Sequence, residues 1–241
     1  MKRQWLRLLA CPVCRFQPLI LTATRVGRDE VISGMLRCPE CKQEYPIEDE
    51  IPEMLVDLKG WYTNIGSPEA YDEHFDKWTP GMQYQTEHPW PYKVVIAERA
   101  KGLVLDAGCG YGCMARFIED GIFLDFSLVA LKNRWVGGNR PRVRANAERM
   151  PFADSTFDTV IATELIEHTD NPHRFVEEVY RVLKEDGQFL LSFPWHDSSP
   201  MHHFKRITKE MVYEWLCPFF TEYEYATPSV RKERSMVYAR K

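Results

Sequence analysis

Two groups of residues in this chain have the types and spacing for chemistry. The first is a pair of cysteine knuckles, CPVC with Cys11 and Cys14, and CPEC with Cys38 and Cys41. A CxxC turn brings two sulfurs to one point, and two such turns supply four thiolates to a tetrahedral zinc. The gap between them has room for a β-hairpin, with strands over 19–24 and 31–36 around a turn at 27–30. A lipoprotein signal would need an unbroken apolar core of about 7–15 residues, and Arg7 splits the run of Trp5, Leu6, Leu8, Leu9 and Ala10. A redox pair calls for a surrounding βαβ pattern, and none flanks Cys11. Two disulfides, or four unrelated thiols, are the alternatives to zinc. Cys109, Cys113 and Cys217 are scattered, which fits a reducing, cytoplasmic setting.

The second group is VLDAGCGYG, residues 104–112. Asp106 ends an apolar run, and glycines follow at 108, 110 and 112. Glycines directly after a buried strand let the backbone turn sharply and approach a ligand closely. A dinucleotide fingerprint, GxGxxG, would want glycine at 113, where Cys113 stands; glycine falls at 112 instead. Asp125 ends a second apolar run over 122–125.

These residues need a scaffold, and its outline is legible. The 241 residues suit one large domain with a small appendage. Residues 1–57 read as the metal module, ending in two short strands over 45–55. Residues 58–95 form a bridge carrying Trp61, Tyr62, Tyr71, Phe75, Trp78, Tyr84, Trp90 and Tyr92. Its stretch 71–78 is spaced for one face of a short helix, packed on the main domain or closing over a ligand pocket. Residues 96–241 alternate strand and helix. Strands are expected near 103–106, 122–125, 142–145, 157–162, 188–193, 222–226 and 236–240. Helices are expected around 116–119, 127–135, 171–183 and 208–216. That alternation predicts an α/β fold, a doubly wound, mostly parallel, seven-stranded Rossmann-like sheet. The segment 112–122 is short for a first crossover helix, so that helix should be stunted.

The net charge of −4 gives no global attraction to nucleic acid, although basic stretches occur at Lys2, Arg3 and Arg7, at 140–149 and at 231–241. No run approaches the roughly 18 apolar residues of a membrane-spanning helix, so no membrane partner is expected.

Two resemblances sharpen this outline. LLACPVC, with LRCPECKQEYPIEDEIPEML, resembles the small zinc-ribbon proteins that partner and activate methyltransferases. The spacing DxGxGxG resembles motif I of class I S-adenosylmethionine-dependent methyltransferases. NAERMPFADSTFD at 146–158, LIEH at 165–168 and RVLKEDG at 181–187 are similar to that family's later signatures. The flavour is that of its small-molecule and quinone-biosynthesis branch. The resemblance implies that Asp106, Gly108, Cys109 and Gly110 line the methionine end of the cofactor. It also implies that Asp125 holds the ribose, Asn146 and Ala147 meet the adenine, and Thr163 lies beside the sulfonium. The family usually has Asp where this chain has Asn146.

An acceptor should sit beyond the carboxyl ends of the strands. Candidates for a base are Glu164 and His168, which could share a helical face, and His196; Glu167 and His168 could equally be a helix start without chemistry. Trp78 and Trp195 are expected to wall the acceptor pocket. His202 and His203 could anchor a loop near it. The expected activity is methyl transfer from S-adenosylmethionine, with zinc as structural metal and a small molecule as acceptor. RNA is the rival acceptor, and a non-catalytic cofactor-loaded scaffold that recruits a protein through its ribbon is the rival role.

Overall fold

The computed structural model describes residues 1–56, 72–73, 91–133, 135–194, 207–226 and 234–241. Trp78, Trp195, His196, His202 and His203, and most of the aromatic bridge, lie outside the described residues.

The ribbon starts with a single helical turn, α1 (Arg3–Leu6). Four antiparallel strands follow in the order β1-β2-β3-β4: β1 (Ile20–Val26), β2 (Val31–Arg37), β3 (Glu44–Glu48) and β4 (Ile51–Pro52). Val31, Leu36, Tyr45, Ile47 and Ile51 are buried side chains of its strands. The hairpin expected between the knuckles is β1 and β2, paired from Ile20 with Arg37 to Val26 with Val31.

The main sheet has seven strands in the order β10-β11-β9-β8-β5-β6-β7. They are β5 (Val104–Ala107), β6 (Gly121–Asp125), β7 (Arg142–Arg144), β8 (Phe157–Thr163), β9 (Leu183–Pro194), β10 (Glu222–Ala226) and β11 (Arg234–Arg240). The first five are mutually parallel; β11 alone runs against them beside β9, and β10, antiparallel to β11, returns to their direction at the end of the sheet. Every residue of β5 and β6 is buried, as a parallel sheet covered on both faces requires. The strand order reverses between β5 and its two neighbours, which makes the carboxyl end of β5 the switch point where such sheets hold ligands.

Helices α2 (Pro91–Arg99), α3 (Pro172–Val182) and α4 (Lys209–Leu216) accompany the sheet. α2 begins before the expected boundary at 96. The side chain of Asn171 accepts from the Arg174 amide to start α3, with Pro172 in its first turn. Phe175, Val176, Val179 and Val182 are fully buried at helical spacing and contribute roughly 1.5–3 kcal/mol each. Thr208 caps α4 through the Met211 amide, as its position suggested.

Two expected helices differ. No helix stands between β5 and β6; residues 109–117 fold as successive tight turns, with Gly112 N on Cys109 O, Ala115 N on Gly112 O and Phe117 N on Met114 O. The connection is too short for an α-helix to cross over and return. The stretch 127–135 holds a five-residue π-helix, Val129–Asn133.

The ribbon and the main sheet share one hydrophobic core. Leu6, Leu9, Cys11, Tyr45, Ile47 and Met54 belong to the same cluster as Leu124, Val143, Phe152 and Phe157. Main-chain bonds stitch the two parts together. Ala10 N donates to Pro151 O (3.0 Å), Ala153 N to Leu8 O (3.3 Å) and Met54 N to Arg144 O (2.8 Å). Arg15 in the first knuckle reaches the buried Glu178 of α3 at 2.7 Å.

Candidate functional site: a ligand cleft at the switch point and a four-cysteine cluster

The glycine turn after β5 is built as its sequence implied. Gly108, Gly110 and Gly112 all have positive φ, at 70°, 52° and 76°. The amides of Gly108 and Cys109 both donate to Leu124 O, at 2.9 and 3.0 Å, locking the turn onto β6. Only glycine adopts these angles without strain. The Cys109 thiol is buried, so its backbone is what it offers a ligand.

Asp106 and Asp125 end the neighbouring strands β5 and β6, at 1% and 6% exposure. Neither carboxylate oxygen of Asp106 has a hydrogen-bond partner among the described residues. Burial pushes its carboxyl up to about 7, opposed by the charge of Lys93 and reinforced by that of Asp125. Asp125 is better supplied: Oδ2 accepts from Gly110 N (2.7 Å) and Oδ1 from Ser127 N (2.8 Å). Burial raises it to about 6 against those amide bonds. Two buried carboxylates at one switch point, one without a donor, form a site that favours a ligand bringing positive charge and hydrogen-bond donors.

Asn146 follows β7, with Oδ1 accepting from Glu148 N at 2.8 Å to cap the 3₁₀ turn Ala147–Arg149. Ala147 is buried beside it, and Thr163 closes β8, also buried. Glu164 comes next, in the left-handed region at φ 56°. Its carboxylate accepts from the Ser192 hydroxyl at 3.0 Å, and its amide donates to Ser192 O at 3.1 Å. This conformation corrects the expectation that Glu164 and His168 share a helical face. The backbone turns at Glu164, and His168 closes a separate 3₁₀ turn, Ile166–His168.

Two residues in the family-like signatures prove to be scaffold. Lys184 Nζ lies 2.9 Å from both carboxylate oxygens of Asp158, whose Oδ2 also takes the Leu103 amide.

The four cysteines converge as their spacing predicted. Their sulfurs all lie within 4.8 Å of one another, with Cys11 to Cys41 and Cys14 to Cys38 at 3.5 Å. Four sulfurs at about 2.3 Å from one tetrahedral zinc stand about 3.8 Å apart, so the cluster fits that ion. All four are free thiols. The knuckles are near copies. The amides of Arg15 and Lys42 donate to Cys11 O and Cys38 O, and both residues have φ 64°. The Tyr45 hydroxyl lies 3.0 Å from Cys11 Sγ, placed to donate to a thiolate from outside the ligand set.

Sequence reasoning missed Tyr45, Ser127, Arg144, Asp72 and Lys93. Tyr45 stands within the ribbon signature, where no role was read for it; the other four are brought to their sites by tertiary packing. Lys93, on the first turn of α2, faces the glycine turn, with Nζ 3.6 Å from Cys113 Sγ.

Comparison with known proteins agrees with this geometry. Residues 105–191 match the methyltransferase domain family, and residues 2–50 match the Trm112p-like protein family. One part of the chain is thus similar to a methyltransferase domain and another to a Trm112p-like ribbon. An uncharacterized protein of Methanocaldococcus jannaschii is 39% identical over 89 residues, 37% of this chain and 36% of that protein. A Mycolicibacterium smegmatis protein named a probable S-adenosylmethionine-dependent methyltransferase is 36% identical over 107 residues, 41% of each chain. The chain therefore spans less than half the length of these curated relatives. Among solved structures, a chain from the complex containing the Haloferax volcanii Trm112 methyltransferase activator superposes with a TM-score of 0.58 at 17% identity. That match covers 70% of this chain and 96% of the other, and it speaks for the fold.

Proposed function

We propose that this protein transfers a methyl group from S-adenosylmethionine to a small-molecule acceptor, with a structural zinc in its ribbon. The observation that carries the reading is the pair of buried carboxylates flanking the glycine turn at the switch point. Asp106, with no donor of its own, suits the cofactor's ammonium. Asp125, already fixed by two amides, has lone pairs left for ribose hydroxyls. Asn146 and Ala147 would border the adenine, and Thr163 the reacting end.

The cofactor supplies an already activated methyl group, so the protein's work is orientation and exclusion of water. Glu164 is the residue best set to receive an acceptor's proton. It directly follows Thr163, the last residue of β8, and is steadied by Ser192, as a base needs if the acceptor is an N–H or O–H group. Cys11, Cys14, Cys38 and Cys41 would hold the zinc with no open position, which leaves it a folding role. The net charge of −4 favours a small acceptor over a polyanion.

The test has two stages. Calorimetry should detect binding of S-adenosylhomocysteine; absence of binding would sink the reading. Transfer from methyl-tritiated cofactor should then label a metabolite extract. Label appearing in the RNA or protein fraction instead would replace the proposed acceptor class and leave methyl transfer standing.

A further inference from the structure

Arg144 closes β7 directly beside Asp125 in the parallel register. Its side chain is only 12% exposed, and its guanidinium has three destinations. Nε donates to Phe126 O at 2.9 Å, Nη1 to Glu53 Oε2 at 3.0 Å, and Nη2 stands 3.7 Å from Asp72 Oδ2. The other oxygen of Asp72 accepts from the Ser127 hydroxyl and, at 3.4 Å, from Val129 N. Ser127 is the residue whose amide holds Asp125. One guanidinium therefore ties together three segments far apart in the chain. Glu53 leaves the ribbon, Asp72 belongs to the bridge, and residues 125–127 form the turn that carries the Asp125 carboxylate.

Packing does not account for this choice. A long apolar side chain would fill the same space without burying a charge, and buried ion pairs seldom improve stability over such replacements. What the planar fork adds is direction: three acceptors held at fixed angles, which a lysine cannot reproduce. Arg144 is also the cation that offsets the Asp72 carboxylate, whose charge bears on Asp125. Without Arg144, the two acids would share Ser127 without the cation that reaches Asp72.

We infer that Glu53, Arg144 and Asp72 are positioning residues for the ribose subsite, so that the ribbon's exit strand and the bridge together set the turn that presents Asp125. The inference rests on the reading of Asp125 as the ribose ligand. The experiment titrates the full chain calorimetrically with S-adenosylhomocysteine and with its 2′-deoxy analogue. The wild type should bind the analogue more weakly, because one hydroxyl to Asp125 is missing. Arg144→Lys should weaken S-adenosylhomocysteine about tenfold, a usual effect of losing an outer-shell partner. It should also draw the ratio between the two ligands towards one, since a misplaced Asp125 no longer distinguishes them. Glu53→Gln removes one charge from a partly exposed position, leaves no cavity, and should shift affinity and ratio the same way; it stands in if Arg144→Lys does not fold. Folded variants with lowered melting temperature but unchanged affinities and ratio would show a purely structural role and overturn the inference. A wild type that binds S-adenosylhomocysteine without preference over the analogue would overturn the ribose assignment beneath it, while methyl transfer could still be measured.

Discussion

Protons should compete with the cofactor at this site, and the structure sets the size of the effect. Asp106 and Asp125 are both raised by burial, to about 7 and about 6. A bound ammonium and ribose favour the ionised carboxylates, so binding must draw off whatever protons these groups hold. At about pH 5, a carboxyl with a pKa near 7 is ionised in about one molecule in a hundred, and one near 6 in about one in ten. If both must ionise, affinity for S-adenosylhomocysteine should fall about a thousandfold between about pH 8 and about pH 5, some 4 kcal/mol. The two acids repel each other, so the apparent steps belong to the pair. Calorimetry across that range, in buffers of different ionisation heat, reads both the affinity and the protons released. Asp106→Asn should bind weakly and lose the upper step while keeping the lower. Flat affinity across the range, or proton uptake on binding, would refute the argument that these buried acids meet a cationic ligand.

Three further outcomes follow from the same coordinates. Cys38→Ser should lose zinc by elemental analysis and melt at a lower temperature, because a module this small depends on its metal to fold. Arg181 Nε and Nη2 bind both oxygens of Glu178, which is 2% exposed; Nη2 also donates to Met150 O, and Nη1 donates to Phe152 O and Asp154 Oδ1. Arg181→Ala should therefore cost about 3–5 kcal/mol in urea unfolding, the usual price of stranding a buried charge; a loss below about 1 kcal/mol would show that Arg15 and the Met150 amide suffice to support Glu178. In the ligand-free protein, Asp106 keeps its proton to higher pH when folded than when unfolded, so its contribution to stability is present below about pH 4 and disappears as pH rises through about 7. The stability difference between the wild type and Asp106→Asn should move in that direction over that range, and no change would place Asp106 in a wetter site.

Much of this architecture was legible because its signals are local. A CxxC knuckle, a strand ending in acid and glycine, and a cap such as Thr208 each act within a few residues. All appear where the sequence put them, as does the seven-stranded, mostly parallel sheet. The failures have a different cause. The 116–119 segment has helical composition, yet the chain must return to β6 within a few residues, so closure overrides propensity. Glu164 and His168 have helical spacing, but the left-handed backbone at Glu164 cannot be read from side-chain types. Arg144 drew notice only as part of a basic stretch. Its partners lie at positions 53, 72 and 126, and only the fold brings them together. Conversely, Asp158 and Lys184 matched family signatures and could have passed for site residues, whereas their ion pair fastens the start of β8 to the start of β9.

The joint between ribbon and sheet has an energetic logic of its own. β7 ends the seven-stranded order and has only three residues. An end strand exposes unpaired amides and carbonyls to solvent and to other chains. Here Met54 N takes the Arg144 carbonyl, and Glu53 bridges Arg144 in parallel, so the ribbon's last residues extend the sheet past β7. Leu9 bridges Phe152 a short distance away, next to the turn that Asn146 caps. Met54 and Leu9 are both buried against the main core. A ribbon of this size has too little apolar surface to fold on its own, and the β7 edge has too few bonds to hold its own end. Each supplies what the other lacks. The same contacts that close the edge run through Arg144 and Phe152 to the turns carrying Asp125 and Asn146. On the proposed assignment of Asp125 and Asn146, closing the sheet edge and shaping the cofactor site are one structural act, which would give a ribbon held in the same chain a reason to be there beyond stability.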